Sequence, residues 1–275
     1  MIRLFLLVCL LYLPLPALSE MRIVSAGSTI TELIIALGAE SELVAVDSSS
    51  EVSDESRVSR LGYHRQLSPE GILSLAPDLL IGSSETGPAQ TIELLRSAGI
   101  STLLMPQALD IASLKQNLLQ LADRLQRTEE AEKVLHEITR HETLLNQSVN
   151  TPKRVIFLLM TDERSMQMGG RNTLADSLIR TAGGLNPAAS QVEGYRPVTL
   201  ESVIQMQPDI ILVAERQLHS EQNIERLLQR YPMLRNTPAA RNGQLQLIDS
   251  TSLLGGFGLK TLAEALRLNS IWYPS

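Results

Sequence analysis

Apolar residues along this chain fall into two alternating patterns, continuous short runs and runs at helical spacing. Residues 22–25 and 43–46 read as strands, and between them Ile30, Leu33, Ile34 and Leu37 recur at helical spacing until Gly38 stops the helix. Thr29-Ile30-Thr31-Glu32 fits a capping box in which Thr29 caps and Glu32 reaches back. The opening is therefore predicted as β-α-β, with parallel pairing as the default. After a polar surface loop over 48–60, Pro69 opens a short helix to about Leu75 and residues 79–82 form a strand. Ile92, Leu94 and Leu95 mark a helix ended by Gly99, and residues 102–104 form another strand. Strands alternating with helices at this spacing predict a doubly wound lobe.

From Ile111 the chain reads as helix to Gln147, with a restart at Thr128-Glu129-Glu130 that puts acids in a first turn. A helix from Thr128 to Ser148 would measure roughly 30 Å, long enough to join two lobes as a stiff spine. Beyond Pro152 the order begins again: a strand over 154–160, a helix over 173–181 closed by Gly183-Gly184, and a strand over 210–213. Setting Leu67 against Val198 aligns LSPEGILSLAPDLL with VTLESVIQMQPDII without a gap. Glu70 then meets Glu201, Pro77 meets Pro208, Asp78 meets Asp209, and Arg65 falls on Arg196. The predicted fold is α/β: two Rossmann-like lobes with mostly parallel sheets, 20–126 and 151–275, joined by one long helix over 127–150. A ligand cleft is expected between the lobes.

The first nineteen residues fit neither pattern. They hold one charge (Arg3), an apolar run over 4–13, two prolines, and Ala17-Leu18-Ser19 before Glu20, which reads as a signal peptide cleaved near Ser19. The run is too short to anchor in a bilayer, so export to the periplasm with no membrane insertion after cleavage is expected. Cys9, the only cysteine, lies in this segment. The mature chain must then hold together by its core alone, for which about 256 residues suffice. Losing Arg3 takes the formal charge from −6 to −7, and an acidic chain without a basic stripe is a poor nucleic-acid binder.

Enzyme signatures are missing. The chain has no Gly-x-Ser-x-Gly elbow, no His-Glu-x-x-His and no cysteine nucleophile; a secreted α/β hydrolase is the alternative from another class. Gly27-Ser28 completes neither a dinucleotide fingerprint nor a P-loop. His136 and His141, five apart, do not share a helix face and read as solvated.

The stretch that carries chemistry is Leu61-Gly62-Tyr63-His64-Arg65-Gln66-Leu67, running into Ser68-Pro69-Glu70-Gly71. It sets a phenol two residues before a guanidinium. A phenol titrates near ~10 in water, and a fixed cation nearby favours the phenolate. Phenolate is a hard anionic donor suited to ferric iron, and tyrosine is one of the axial ligands of haem. Taken alone, the spacing equally describes a loop tyrosine with its ring half buried and its hydroxyl wet, and His64 beside it reads as a solvated loop histidine.

The opening block RIVSAGSTITELIIALGAESELVAVD, the GYHRQLSPEGILSLAPDLLI block, the spine helix, and GRNTLADSLIRTAGG with GYRPVTLESV resemble the helix-linked solute-binding proteins of bacterial ABC importers. Within that superfamily, which also holds siderophore and vitamin B12 binders, the GYHRQL block resembles the periplasmic haem-binding proteins. The resemblance implies that Tyr63 is the axial haem ligand and that Arg65 hydrogen-bonds or polarises it. It also implies that Glu70 and Glu201 sit at the lobe tips and dock on arginines of the permease transmembrane subunits. Some relatives hold a second haem through a histidine in the loop after the first strand of the second lobe. Here that loop reads Thr161-Asp162-Glu163-Arg164-Ser165-Met166, which implies one haem b per chain. Met166 and Met168 offer thioethers, although gap-filling is the commoner use of methionine.

Haem is a flat apolar disc with two carboxylates at one edge, so its site needs apolar walls and a few cations. Tyr195 and Phe257 are candidates for the opposite wall, and Arg171 and Arg196 for the propionates through bidentate pairing. The expected protein is a monomeric haem carrier; a ferric-siderophore or corrinoid binder of the same superfamily is the alternative.

Overall fold

The computed structural model describes residues 21–146, 151–160, 166–215 and 222–274. The expected signal peptide, the end of the expected linking helix and the loop at 161–165 lie outside the described residues. The first half runs β1 (Ile23–Ala26), α1 (Ser28–Ala36), β2 (Leu43–Val46), β3 (Ser59–Arg60), α2 (Pro69–Leu73), β4 (Leu79–Ser83), α3 (Ala89–Ser97) and β5 (Ser101–Met105). Its strands lie in the order β3-β2-β1-β4-β5, every pair parallel. Every residue of β1 and β4 is buried, as expected where helices cover both faces of a parallel sheet.

Two helices follow, α4 (Ile111–Leu125) and α5 (Thr128–Leu145), separated where Gln126 takes a left-handed conformation at φ 57°. The 18 residues of α5 span about 27 Å. The second half then runs β6 (Val155–Met160), β7 (Met166–Gly169), α6 (Leu174–Thr181), β8 (Tyr195–Pro197), α7 (Leu200–Gln205), β9 (Ile210–Glu215), α8 (Gln222–Arg230), α9 (Pro238–Arg241), β10 (Leu245–Leu247) and α10 (Leu259–Trp272). Its sheet is ordered β10-β9-β6-β7-β8. The β10-β9-β6 pairs are parallel, while β7 is antiparallel to both of its neighbours. Neither β7 nor β8 is predicted from the sequence, because four and three residues are too few to show a period. Met166 and Met168 of β7 are buried in a core beneath the second sheet with Ile156 and Val213. They fill space there, the commoner of their two expected uses.

The repeat seen in the sequence is also a repeat of contacts. The Arg22 amide donates to Asp78 Oδ2 at 2.8 Å while its guanidinium donates to the Leu75 and Ala76 carbonyls. In the second half the Arg154 amide donates to Asp209 Oδ2 at 2.8 Å and its guanidinium to the Met206 carbonyl. Ala76 and Gln207, aligned with one another, both adopt a left-handed φ of 44°. Each unit thus closes its short helix with a left-handed residue and ties the following Pro-Asp to the chain entering the sheet.

One local prediction fails. Gly27, not Thr29, precedes α1, and no side chain caps it. Thr29 instead donates to the carbonyls of Leu254 and Gly256, and Ser28 to that of Leu254. Glu32 accepts from the Leu259 amide at 2.9 Å and the Lys260 amide at 2.7 Å, so it caps α10 rather than its own helix. The approach is close: a Cβ at Gly258 would overlap Glu32 Oε2, and one at Gly255 would sit 2.8 Å from Ser28 Oγ. Phe257 lies within the same segment, fully buried in a core that gathers Leu33 and Leu118 together with Phe157, Leu178 and Leu262. One apolar core therefore runs through both halves.

Candidate functional site

Parallel α/β sheets present ligands with the loops at the carboxyl ends of their strands. In the first half these loops are Gly27-Ser28 after β1, Asp47 to Ser50 after β2, Leu61 to Leu67 after β3 and Ser84 to Gly87 after β4. The Leu61 to Leu67 loop is tied to its neighbours by backbone bonds. Leu61 N donates to Val46 O at 2.8 Å, Ser48 N to Gly62 O at 3.2 Å, Gly87 N to His64 O at 3.0 Å and Leu67 N to Gly87 O at 2.8 Å. A tight turn over His64–Gln66 follows Tyr63, and the Ser68 hydroxyl caps α2 by accepting from the Gly71 amide. Tyr63 is held at the crest of this loop with 46% of its surface exposed. Its hydroxyl makes no hydrogen bond among the described residues.

Arg65 makes no hydrogen bond to that phenol among the described residues. Its Nη2 pairs with Glu85 Oε2 at 2.6 Å, and both side chains are partly exposed. The pair brings one carboxylate to the loop that sequence reasoning did not anticipate.

His64 overturns its expectation as a solvated residue. It is 4% exposed, and its Nδ1 lies 3.2 Å from Asp47 Oδ2. The Tyr63 ring packs against it, centroids 4.4 Å apart at 57°. Asp47 is fully buried and also accepts from the Gly27 amide, the Ser49 amide and hydroxyl, and the Ser50 hydroxyl. Burial alone would raise its carboxyl, but the bonds from His64, Ser49 and Ser50 outweigh that and hold it far below the usual carboxylate range. The signal was present in the sequence: Asp-Ser-Ser-Ser after an apolar strand is the composition of an Asx turn.

The residues expected on the opposite wall are placed differently. Phe257 cannot line a cleft where it stands, because it is fully buried and its amide donates to Ala108 O. Tyr195 packs its ring edge-on to Phe157, centroids 6.1 Å apart. Burial pushes its phenol up, opposed by bonds from the Ala175 amide and the Thr173 side chain. Arg171 pairs with Glu193 at 2.9 Å, the salt bridge rather than a free cation. Arg196 is exposed on β8. Glu70 and Glu201 are both exposed, each the second residue of a capped helix. Ser68 Oγ donates to the Glu70 carboxylate at 2.8 Å and, with Glu70's own amide, lowers its pKa.

A cavity of about 330 Å³ opens between α1 and the segment before α10, lined among others by Ser28, Glu32, Ser49, Thr251 and Lys260. Tyr63 is not among its lining residues, although Ser28 and Ser49 belong to loops at the same sheet edge. No group of three or more His, Cys, Asp or Glu capable of holding a bare metal ion occurs among the described residues.

Comparison with known proteins bears on this geometry. A family model described as periplasmic binding protein matches residues 23–251. The periplasmic heme binding protein HutB of Vibrio cholerae superposes with a TM-score of 0.88 at 40% identity, covering 93% of this chain and 100% of that one. A periplasmic heme binding protein from Pseudomonas aeruginosa superposes with a TM-score of 0.83 at 32% identity, covering 93% of each chain. By sequence, the vitamin B12-binding protein of Vibrio parahaemolyticus is 23% identical over 217 residues, 78% of either chain.

Proposed function

The chain belongs to the periplasmic binding protein family, whose members are substrate-binding transport proteins and not enzymes, and from that premise we propose that it captures ferric haem through the Tyr63 phenolate. The carrying observation is the placement of Tyr63: a half-exposed phenol whose hydroxyl has no hydrogen-bond partner among the described residues, on a loop pinned at the carboxyl edge of a parallel sheet. A tyrosine needed only for packing would turn its ring inward, as Tyr195 does. The two superposed heme-binding proteins, at 40% and 32% identity, support the same ligand class. Arg65, one residue beyond the buried His64, supplies the cation that favours a phenolate.

In this reading 20–126 and 151–275 act as two lobes around the haem, with α5 as the stiff connection. Glu70 and Glu201, presented alike by the repeated units, dock on the transmembrane subunits of an ABC importer. The protein works as a monomer in the periplasm and carries one haem b. A corrinoid ligand is the second reading, favoured by the vitamin B12-binding relative. Against it, the only tryptophan, Trp272, is buried at the end of α10, where it cannot face a large planar ligand.

Titration of the mature protein with hemin, and separately with aquocobalamin, tests the assignment. The expected result is a shifted Soret band with a high-spin charge-transfer band that saturates at one equivalent of hemin, and no saturable change with cobalamin. Tight cobalamin binding without hemin saturation would overturn it.

A further inference from the structure

We propose that His64 is the positioning residue of the Tyr63 phenol, carrying to it the fixed geometry of buried Asp47. The inference rests on the reading of Tyr63 as the iron ligand. It starts from a difference between the two adjacent rings. The Tyr63 hydroxyl has no hydrogen-bond partner among the described residues and nearly half the residue's surface is in solvent, so its own polar contacts leave the direction of the phenol open. The His64 residue beneath it is held through its backbone and through one ring nitrogen. Its backbone carbonyl accepts from the Gly87 amide, and its Nδ1 meets Asp47.

Asp47 is in turn fixed from three directions. Gly27 after β1 donates to Oδ1 at 3.0 Å, Ser50 Oγ to Oδ1 at 2.5 Å, and Ser49 to Oδ2 through both its amide (3.1 Å) and its hydroxyl (2.6 Å). Ser50 Oγ continues to Thr31 on α1 at 2.7 Å, and Thr31 to Ser25 on β1 at 2.7 Å. Arg60 donates to the carbonyls of Asp47 and Ser50, closing the loop from the β3 side. A carboxylate held in this way can only accept, so the nitrogen facing it, Nδ1, carries the proton. That fixes both the tautomer and the ring plane of His64. The imidazole then presents a fixed surface at 4.4 Å to the phenol ring. Restricting a ligand side chain before binding removes part of the ordering cost of binding, and groups that orient a metal ligand typically change affinity by about 10- to 100-fold when lost.

The test uses two polar replacements of His64. An asparagine amide reaches the position of Nδ1, and a glutamine amide reaches that of Nε2. His64→Asn, which keeps a donor toward Asp47 but lacks the ring beneath the phenol, should bind hemin more weakly than wild type yet more tightly than His64→Gln, with the charge-transfer band displaced less. His64→Gln should bind roughly 10- to 100-fold more weakly, with the band displaced and the iron–phenolate stretch broadened in resonance Raman spectra. If the glutamine chain does not fold, His64→Ala asks the same question by emptying the space beneath the ring. Tyr63→Phe separates the two readings. If it keeps the wild-type spectrum, the ligand assignment itself fails. If Tyr63→Phe loses that spectrum while the His64 variants bind and absorb like wild type, His64 has no positioning role and the inference is overturned.

Discussion

The segments leading into α2 and α7 start from closely similar sequence and end in different surroundings. Both place a tyrosine and an arginine ahead of a hydroxyl-capped short helix, a left-handed residue, a Pro-Asp pair and a buried strand. In the first, the tyrosine stands out from the loop and the buried partner is the histidine after it. In the second, Tyr195 begins the edge strand β8 paired with β7, and the tyrosine turns into the core beside Phe157. Burial raises the Tyr195 phenol, which makes it a poorer anionic donor. One scaffold thus presents a phenol to solvent in one half and withdraws it in the other. The difference is set by the neighbouring strand and not by the repeated unit.

The largest expected effect tests that contrast. Tyr63→Phe should lower hemin affinity on the order of 100-fold, ~2.7 kcal/mol, and remove the charge-transfer band. Tyr195→Phe should leave hemin affinity within a few-fold, because its ring is packed beside Phe157. Equal effects in a hemin titration of the two variants would erase the distinction.

The second prediction concerns the shared part of the two units. Asp209 receives the Arg154 amide in a partly buried setting, whereas Asp78 receives that of Arg22 in an exposed one. Urea denaturation should therefore find Asp209→Ala costing about 2 kcal/mol and Asp78→Ala about 1 kcal/mol, since an amide left without its acceptor costs more away from water. A reversed order would show that the units differ in more than exposure.

Next in size is Arg65, which has a carboxylate partner in Glu85. Arg65→Ala should weaken hemin binding roughly tenfold at neutral pH, with the gap closing as pH rises and phenolate forms unaided. Arg65→Lys should retain much of the wild-type affinity, because a point charge suffices where no bidentate fork is used. Affinities measured from pH 6 to 10 decide it, and a flat ratio near one assigns Arg65 to its surface pair with Glu85.

The smallest effect concerns two buried acids of the first half. Asp47 is held low in the folded chain, so its contribution is present above about pH 4 and is lost as pH falls below that value. Glu32 is raised, first by burial, with the Lys260 and Leu259 amides opposing. Its contribution is full below about pH 4.3 and declines as pH rises through its folded value. Unfolding measured against pH should lose part of its acid limb in Asp47→Asn and part of the slope above about pH 4.3 in Glu32→Gln.

Much of the frame was legible before any coordinates. Continuous apolar runs gave the buried parallel strands, helical spacing gave α1 and α3, and the start of α5 at Thr128 follows from its acidic first turn. The repeat could be read because Pro, Asp and the capping hydroxyls are demanded by backbone geometry, which is local. The burial of His64 could not, since it depends on a carboxylate seventeen residues away brought over the sheet edge by parallel pairing. Glu32 was misassigned for the same reason: its spacing suits a local cap, but the amides it serves lie 227 and 228 residues on. Phe257 in a glycine loop resembles a cleft residue until the fold threads that loop against α1 and buries the ring. By itself the sequence determined most strands and helices of the first half, the long helical stretch after Ile111, the repeated units and the Tyr63 loop, because these follow from periodicity, caps and turns within a few residues. Only the tertiary structure decided which polar groups are buried and which phenol faces outward, because burial is a property of what distant segments bring together.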